Sequence, residues 1–338
     1  MSGAVEPGYA ALYRSGELEE RVKRLEARLA ACDICPGECG DNRLEGETGA
    51  CHTGALPIVS SVCAHHGEEP VISGSRGSGT IFFGNCNLKC KYCQNHQISQ
   101  EPELQKRNEV TTRVLAERML YLQDELGCHN INLVTPSHVV PQILRAVLEA
   151  VPMGLKLPIV YNTSSYDALS TLKELDGVVS IYLADLRYAS NEPGRKYSGV
   201  EGYADHARAA IREMHRQVGD LEVDDEGAAV KGLVIRHLIL PNGIAGSRES
   251  LEWLVREVSP AVTVSIMSQY YPAHRAYRHD DLKRKITHEE YEEVTQIVEE
   301  LGIENGWMQG MESAENYRPD FTEEKPFSES EKQGERPR

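Results

Sequence analysis

The stretch "GTIFFGNCNLKCKYCQN" occupies residues 79–95 and joins a short apolar run to three closely spaced cysteines. The run "TIFF" (80–83) predicts a buried strand, and Cys86 follows it after two residues. Cys86, Cys90 and Cys93, here called the three-cysteine loop, therefore lie on the connection that leaves this strand. If the strand is one of a set of parallel strands in an α/β barrel, that connection lies at the edge where catalytic groups collect.

The sequence beyond this loop alternates apolar runs with helical patterns. Five more runs predict strands at residues 130–134, 159–162, 179–184, 233–240 and 262–267. Amphipathic stretches predict helices at residues 111–127, 139–151, 202–218, 248–258 and 287–302. Repeated strand–helix units are typical of parallel strands joined by crossover helices. We therefore predict an α/β fold, an incomplete (β/α)6 TIM-like barrel, with an open doubly wound sheet as the alternative.

The overall composition argues against several classes of protein. The chain has 338 residues, 40% of them hydrophobic, and a net charge of -16. It can bury a sizeable core, but its negative charge would repel nucleic acid. No apolar run approaches the roughly 20 residues of a membrane-spanning helix, and the first residues lack a signal-peptide pattern. We expect a cytoplasmic protein that binds neither nucleic acid nor a membrane.

Cysteine usage indicates metal binding. Eight of the nine cysteines precede residue 94, which is unlike a disulfide framework. Four of them form a Gly- and Pro-rich stretch at residues 32–51, here called the four-cysteine segment: Cys32, Cys35, Cys39 and Cys51. Almost nothing apolar could order this segment, so we expect it to bind one zinc ion or to hold a 4Fe–4S cluster. Cys63 and Cys128 stand alone and are interpreted as packed or free thiols.

The three-cysteine loop also has two possible metals. Its neighbours Lys89 and Lys91 favour thiolate, the form of cysteine that binds metal. A structural zinc ion would need a fourth ligand, which His96 could supply. A 4Fe–4S cluster held by three cysteines would leave one iron open to a substrate or cofactor. The position after a strand and the repeated strand–helix units favour the cluster.

We predict four parts in the chain. Residues 1–30 contain a short amphipathic helix at 17–29, and residues 31–75 form a Cys-rich metal-binding extension. Residues 76–315 form the barrel. The polar, Pro-containing tail at residues 316–338 is predicted to be disordered.

The stretch "CNLKCKYCQN" resembles the signature of the radical S-adenosylmethionine superfamily, CxxxCxxC with an aromatic residue, here Tyr92, before the last cysteine. The stretches "EEPVISGSRGSGTIFF" and "CPGECGDNRLEGETGAC" are similar to the pyruvate formate-lyase activating-enzyme-like branch. The resemblance extends over residues 32–309. It implies that a 4Fe–4S cluster in the three-cysteine loop binds S-adenosylmethionine and cleaves it reductively. The resulting 5′-deoxyadenosyl radical would take hydrogen from a substrate.

Polar residues at the predicted strand ends are candidates for holding this cofactor. Asp185 and Arg187 are similar to the Asp-Leu-Lys of glycyl-radical activating enzymes, with arginine in place of lysine. The Gly-Gly-Glu segment of many superfamily members is missing after the second strand, where Thr135 and Ser137 stand instead. The remaining candidates are Asn162, Thr163, Ser164, Arg236, Gln269 and His274.

These candidates have structural explanations as well. Residues 162–164 could be a helix N-cap, and Asp185 with Arg187 could form a plain salt bridge. Arg236 interrupts an apolar strand and must have a partner, whether a cofactor or a carboxylate. The loop that holds Gln269 and His274 could be a lid.

Three kinds of function remain open at this point. The first is an activase that places a radical on a glycine of a partner protein. The second is a radical enzyme acting on a small molecule or a peptide side chain, and the third is an iron–sulfur protein without turnover. An open iron favours an enzyme, because electron carriers usually ligate every iron with protein side chains. We expect an electron donor such as flavodoxin or ferredoxin as a partner.

Overall fold

One sheet of nine strands organises the described residues, which are 6–313, 319–321 and 326–327 of this computed structural model. The strands are β1 (Val59–His65), β2 (Ser78–Phe83), β3 (Ile131–Val134), β4 (Ile159–Thr163), β5 (Ile181–Asp185), β6 (Glu222–Val223), β7 (Ala229–Leu238), β8 (Thr263–Met267) and β9 (Gly306–Met308). The helices are α1 (Gly8–Ser15), α2 (Glu17–Ala27), α3 (Pro70–Ser73), α4 (His96–Ser99), α5 (Pro102–Gln105), α6 (Thr112–Leu120), α7 (Val140–Ala150), α8 (Leu169–Leu172), α9 (Asn191–Pro193), α10 (Tyr203–Val218), α11 (Ser247–Glu257) and α12 (His288–Glu300).

The central strands are parallel and lie side by side in the order of the sequence. Each of β2, β3, β4, β5, β7 and β8 pairs in parallel with the next, and β9 completes the series. A doubly wound sheet reverses its strand order at a switch point, and this sheet has no reversal. The doubly wound alternative is therefore wrong. Among the described residues β1 and β9 do not pair with each other, so the sheet stays open.

The six predicted strands are all present, and three further strands were not predicted. The largest boundary difference is at β7, which begins at Ala229 because β6 extends the pairing onto the polar stretch before the apolar run. Strand β1 has the sequence "VSSVCAH" and pairs antiparallel with β2 at the sheet edge. It lacks a long apolar run, and β9 has only three residues, so neither carries a sequence signal.

The predicted helices are confirmed to within two residues at most ends. The main exception is α6, which ends at Leu120 and continues as one wider π-helical turn over Tyr121–Glu125. Helix α2 has its apolar residues Leu18, Val22 and Leu25 fully buried. It packs on α7, where Arg145 and Glu26 form an ion pair at 2.5 Å.

The two faces of the sheet have different partners. Alternate residues such as Tyr161 and Ile235 belong to a large hydrophobic core shared with the long helices. The residues between them, such as Val160 and Val234, belong to a separate small cluster on the opposite face. Ile72 of α3 completes that cluster and is fully buried. Helix α3 therefore covers part of this opposite face, here called the inner face, which the long helices do not cover.

Helix α3 is anchored to the sheet through Asn130. The Asn130 amide donates to the carbonyl of Ile72 at 2.8 Å and accepts from the hydroxyl of Ser78 at 2.8 Å. Because α3 follows β1 and precedes β2, the residues just before it are brought against the sheet interior. These residues are Glu68 and Glu69.

Most of the predicted disordered tail lies outside the described residues. The described part packs on the sheet: the Phe321 ring lies 5.2 Å from the ring of Phe82, and Phe327 lies 5.5 Å from it. The backbone N–H of Phe321 also donates to the side chain of Gln97 at 2.9 Å. In the described part of the chain no helix combines the length and the apolar character that a membrane span requires.

Candidate functional site

The three-cysteine loop leaves the carboxyl end of β2, as predicted. Its first residues form a sharp turn, in which Asn85 has a left-handed φ of 64°. The turn requires glycine at position 84, because a side chain on Gly84 would collide with Ile58. The Asn85 amide is buried and donates to the carbonyl of His52 at 2.7 Å. This turn brings the cysteines to the strand-end edge of the sheet.

The three thiols are packed within the protein: Cys90 is buried, and Cys86 and Cys93 are partly exposed. Cys90 Sγ is 3.0 Å from the hydroxyl of Ser198, and Cys93 Sγ is 3.2 Å from that of Ser99. Burial, together with the neighbouring thiols of Cys90 and Cys93, raises the pKa of Cys86 to about 12. A cation is therefore needed to hold Cys86 as a thiolate.

The structure bears on the fourth ligand that a structural zinc ion would need. His96, the candidate for that ligand, stacks on His274 with ring centroids 4.8 Å apart. In the described part of the chain, no group of three or more Cys, His, Asp or Glu side chains is arranged to hold a metal ion. Cys86, Cys90 and Cys93 would be the ligands of a 4Fe–4S cluster, which needs only three cysteines when one iron stays open.

A cavity of about 680 Å³ lies beside the loop, between the strand ends and α3. Gln94 and Asn95, which directly follow Cys93, line it. Three of the ten predicted cofactor residues also line it: Asn162, Arg236 and Gln269. This volume is typical of small-molecule sites.

A charged network at the cavity wall joins several of the predicted residues. Arg236 Nε donates to Asp185 Oδ1 at 2.7 Å, and its Nη2 donates to Asn162 Oδ1 at 2.6 Å. Arg187 Nη2 donates to the other oxygen of Asp185 at 2.6 Å. Asp185 thus forms an ion pair with each of two guanidinium groups. The pair with Arg187 is the predicted salt bridge, and the pair with Arg236 lies beside the cavity.

The sequence reasoning missed two carboxylates, Glu68 and Glu69, which line this cavity. Glu68 Oε2 lies 3.5 Å from Arg236 Nη1, whereas Glu69 Oε2 has no hydrogen-bond partner among the described residues. Burial raises the pKa of Glu69 to about 7, although the positive charge of Arg236 lowers it. The "EEP" stretch was assigned to the Cys-rich extension. The sequence shows this acidic pair next to a Pro-initiated turn. It does not show that the pair lies against the sheet, because that position depends on the topology.

Ser137 and Thr163 are brought together, but away from the cavity. Their hydroxyls are 3.1 Å apart, and Thr163 donates to Asp167 Oδ2 at 2.6 Å. Tyr161 donates to the other oxygen of Asp167 at 2.8 Å. Both predicted residues therefore belong to a buried polar network on the helix-covered face.

Three other candidates also lie outside the cavity lining. Thr135 makes a left-handed turn with φ of 61°, and its N–H donates to the carbonyl of Asn162 at 3.0 Å. The carbonyl of Ser164 accepts from a buried tyrosine hydroxyl at 2.9 Å. Burial and the neighbouring His96 lower the pKa of His274.

The four-cysteine segment encloses a second, smaller space. All four of its cysteines line this space. The segment is held to the sheet through Arg43, whose side chain is 1% exposed and donates to the carbonyls of Gly54 and His138. None of the nine cysteines forms a disulfide; Cys128 is buried and Cys63 is partly buried.

Comparison with known proteins found relatives at some distance. No family model matches the chain. A protein of Methanocaldococcus jannaschii, "Uncharacterized protein MJ0674", is 29% identical over 296 residues, which are 85% of this chain and 80% of that protein.

Three solved structures are similar in part. HydG, a maturase of the [FeFe]-hydrogenase, has a TM-score of 0.48 at 12% identity and matches 68% of this chain and 50% of its own. The structure of anSMEcpe with bound AdoMet has a TM-score of 0.44 at 11% identity, over 69% of this chain and 60% of its own. TYW1 with a lysine-pyruvate adduct bound has a TM-score of 0.37 at 12% identity, over 65% of this chain and 73% of its own. The chain thus spans about half to three fifths of the first two structures, and scores below 0.5 do not decide its function.

Proposed function

We propose that this chain is a radical S-adenosylmethionine enzyme built on an incomplete (β/α)6 TIM-like barrel. Cys86, Cys90 and Cys93 would hold a 4Fe–4S cluster, and S-adenosylmethionine would occupy the adjoining cavity. The observation that carries this proposal is the position of three thiols at the carboxyl end of β2, directly beside a polar cavity.

The cavity suits S-adenosylmethionine chemically. The cofactor carries a carboxylate, an amino group and a positively charged sulfonium. The cavity wall offers the guanidinium of Arg236 for a negative group and the carboxylates of Glu68 and Glu69 for positive groups. The unpartnered Glu69 Oε2 is an acceptor in need of a donor or a cation. Both signs of charge are therefore available where a zwitterionic cofactor would lie.

The chain's own side chains have distinct tasks in this reaction. When bound, the cluster would supply the electron that splits the cofactor and so starts hydrogen abstraction from a substrate. The three cysteines hold that group. Asn162 and Arg236, fixed by Asp185, orient charged atoms at the cavity wall. Phe82, Val134 and Met267 give the same cavity an apolar portion that excludes water.

The proposed reaction is activation of a glycyl radical enzyme, which the similarity of "EEPVISGSRGSGTIFF" to activating-enzyme-like proteins supports. A small molecule or a peptide side chain is the second candidate substrate. It is favoured by the second carboxylate of the pair Glu68 and Glu69, which suits a cationic substrate group when the other carboxylate faces the cofactor. An electron donor such as flavodoxin or ferredoxin would serve either reaction.

Release of 5′-deoxyadenosine tests the proposal. Anaerobically prepared, iron-loaded protein should form it from S-adenosylmethionine when dithionite is added, and Cys86→Ala, Cys90→Ala or Cys93→Ala should each abolish it. Cys63→Ala is the matched control and should retain the activity. If iron-loaded wild-type protein releases no deoxyadenosine, the enzyme proposal fails and an iron–sulfur protein without turnover remains. A glycyl radical signal in a candidate partner would separate the two substrate classes.

A further inference from the structure

The four-cysteine segment is folded around a common space. Its four cysteines line one small cavity, together with Arg43, His138 and Asn87. The backbone approaches the sulfurs closely: a side chain on Gly49, which has a φ of 56°, would lie 2.7 Å from Cys39 Sγ. The N–H of Gly40 donates to the carbonyl of Cys32 at 2.9 Å, which closes the loop between these cysteines. The segment thus places four thiols around one space on a constrained backbone, and Cys39 is also exposed at the surface.

Arg43 brings a positive charge to this space, which Glu38 also lines. Its Nε and Nη2 donate to the carbonyl of Gly54 at 3.0 and 2.7 Å, and its Nη1 donates to that of His138 at 2.8 Å. In the described ranges no Asp or Glu is bonded to it. Its Nη1 lies 3.8 Å from Cys32 Sγ. A buried guanidinium needs an anion nearby, and metal-bound thiolates would provide one.

A zinc ion and a 4Fe–4S cluster both take four cysteine ligands. All four cysteines of this segment line the same space. A 4Fe–4S cube held by them would have a protein ligand on every iron. Unlike zinc, which has no redox chemistry, such a cube can carry an electron, and that suits a segment that lies against the three-cysteine loop.

The two cysteine groups meet at one side chain. Asn87 directly follows Cys86 and lines the space of the four-cysteine segment. Its Oδ1 lies 3.8 Å from Cys86 Sγ, and its Nδ2 donates to the carbonyl of Tyr166 at 2.9 Å, which fixes the amide. One amide therefore lies between the two groups of cysteines.

The four-cysteine segment, here called the outer group, contains Cys39, the one exposed cysteine of the two groups. Cys35, Cys86 and Cys93 are partly exposed, and Cys32, Cys51 and Cys90 are buried. A protein that delivers electrons can approach the four-cysteine segment at Cys39 without entering the cavity.

We propose that Cys32, Cys35, Cys39 and Cys51 hold a second 4Fe–4S cluster and that it relays electrons to the three-cysteine loop past Asn87. The donor is a low-potential one-electron carrier of the flavodoxin or ferredoxin class. It reduces the outer cluster by one electron, and that electron passes to the inner cluster, so the outer cluster returns to its oxidised state and no bond forms or breaks. The relay rests on the proposed function, whereas the second cluster does not.

Metal analysis of full-length protein tests the second cluster. Anaerobic wild-type protein should contain about eight irons and no zinc per chain. The triple variant Cys86→Ala, Cys90→Ala and Cys93→Ala should retain about four irons and an electron paramagnetic resonance signal that S-adenosylmethionine does not change. A wild type with about four irons and one zinc, or a triple variant without iron, would overturn the second cluster. Neither result depends on deoxyadenosine release, so failure of the proposed function is seen separately.

Reduction kinetics test the relay. The double variant Cys35→Ala and Cys39→Ala should retain about four irons, and dithionite should still reduce them. Reduced flavodoxin should reduce its inner cluster at least tenfold more slowly than in wild type, while Cys63→Ala behaves as wild type. Asn87→Leu provides a second test, because it should keep all eight irons and slow transfer from flavodoxin. Unchanged flavodoxin kinetics in these variants would contradict the relay.

Discussion

Replacing Glu69 with glutamine should change how the stability of the protein depends on pH. Burial and the carboxylate of Glu68 raise the pKa of Glu69 from 4.5 to about 7, against the lowering effect of Arg236. At about 1.4 kcal/mol for each pH unit, this rise corresponds to about 3 kcal/mol. Because the folded protein binds this proton more tightly than the unfolded chain, wild-type stability falls as pH rises from 4.5 to 7.

The Glu69→Gln variant lacks this titration but keeps the shape of the side chain. At pH 5 the two proteins should have similar stability, and at pH 8 the variant should be more stable by about 3 kcal/mol. For a chain of this size that is roughly 4 °C in unfolding temperature. The assay is thermal unfolding by circular dichroism of anaerobic, iron-loaded protein at one scan rate from pH 5 to 8.

The matched control is Glu192→Gln at an exposed glutamate. It should follow the wild-type pH profile. The charged groups that act on Glu69 are Arg236 and Glu68, and His65 and His66 line the same cavity. All four are present in all three proteins, so they do not distinguish the profiles. If the profile of Glu69→Gln ran parallel to that of wild type, Glu69 would not be an ionisable group of the buried cavity.

Two further substitutions test the parts that build the site. Arg236→Met should destabilise the protein by about 3–5 kcal/mol in chemical denaturation. The reason is that it leaves the carboxylates of Asp185 and Glu68 without this partner. A loss of stability below about 1 kcal/mol would contradict the network. Gly84→Ala should cost about 1–3 kcal/mol and disturb the three-cysteine loop, because the added Cβ has no room. Gly54→Ala meets nothing within 4 Å and should be nearly neutral in the same assay.

The parallel strands and long helices could be predicted because each carries its own local pattern. Buried strands such as β4 and β8 read as short apolar runs, and α10 shows a helical period of apolar residues. Edge strand β1 could not be found, since two serines separate its valines and its longest apolar run is only the three residues 62–64. The short strand β9 was missed because three residues cannot display a period.

The sequence alone indicated the candidate metal ligands of the protein. The spacing of Cys86, Cys90 and Cys93 after a strand is a local property, and so is the grouping of four cysteines in a stretch too polar to pack. Arg236 was recognisable for the same reason, as a charge inside an apolar run. Such features depend on residues that are near one another in the chain, and the backbone geometry of strand and loop then places them predictably.

Only the tertiary structure decided which side chains share a cavity and which do not. Glu68 and Glu69 enter the cavity because α3 folds onto the inner face of the sheet, whereas Ser137 and Thr163 turn toward Asp167 on the other face. Asn87 lies between the two cysteine groups because the four-cysteine segment docks beside the loop after β2. These neighbours are far apart in sequence, so their proximity follows from how the strands wind and how the connections pack, which no local pattern of residues encodes.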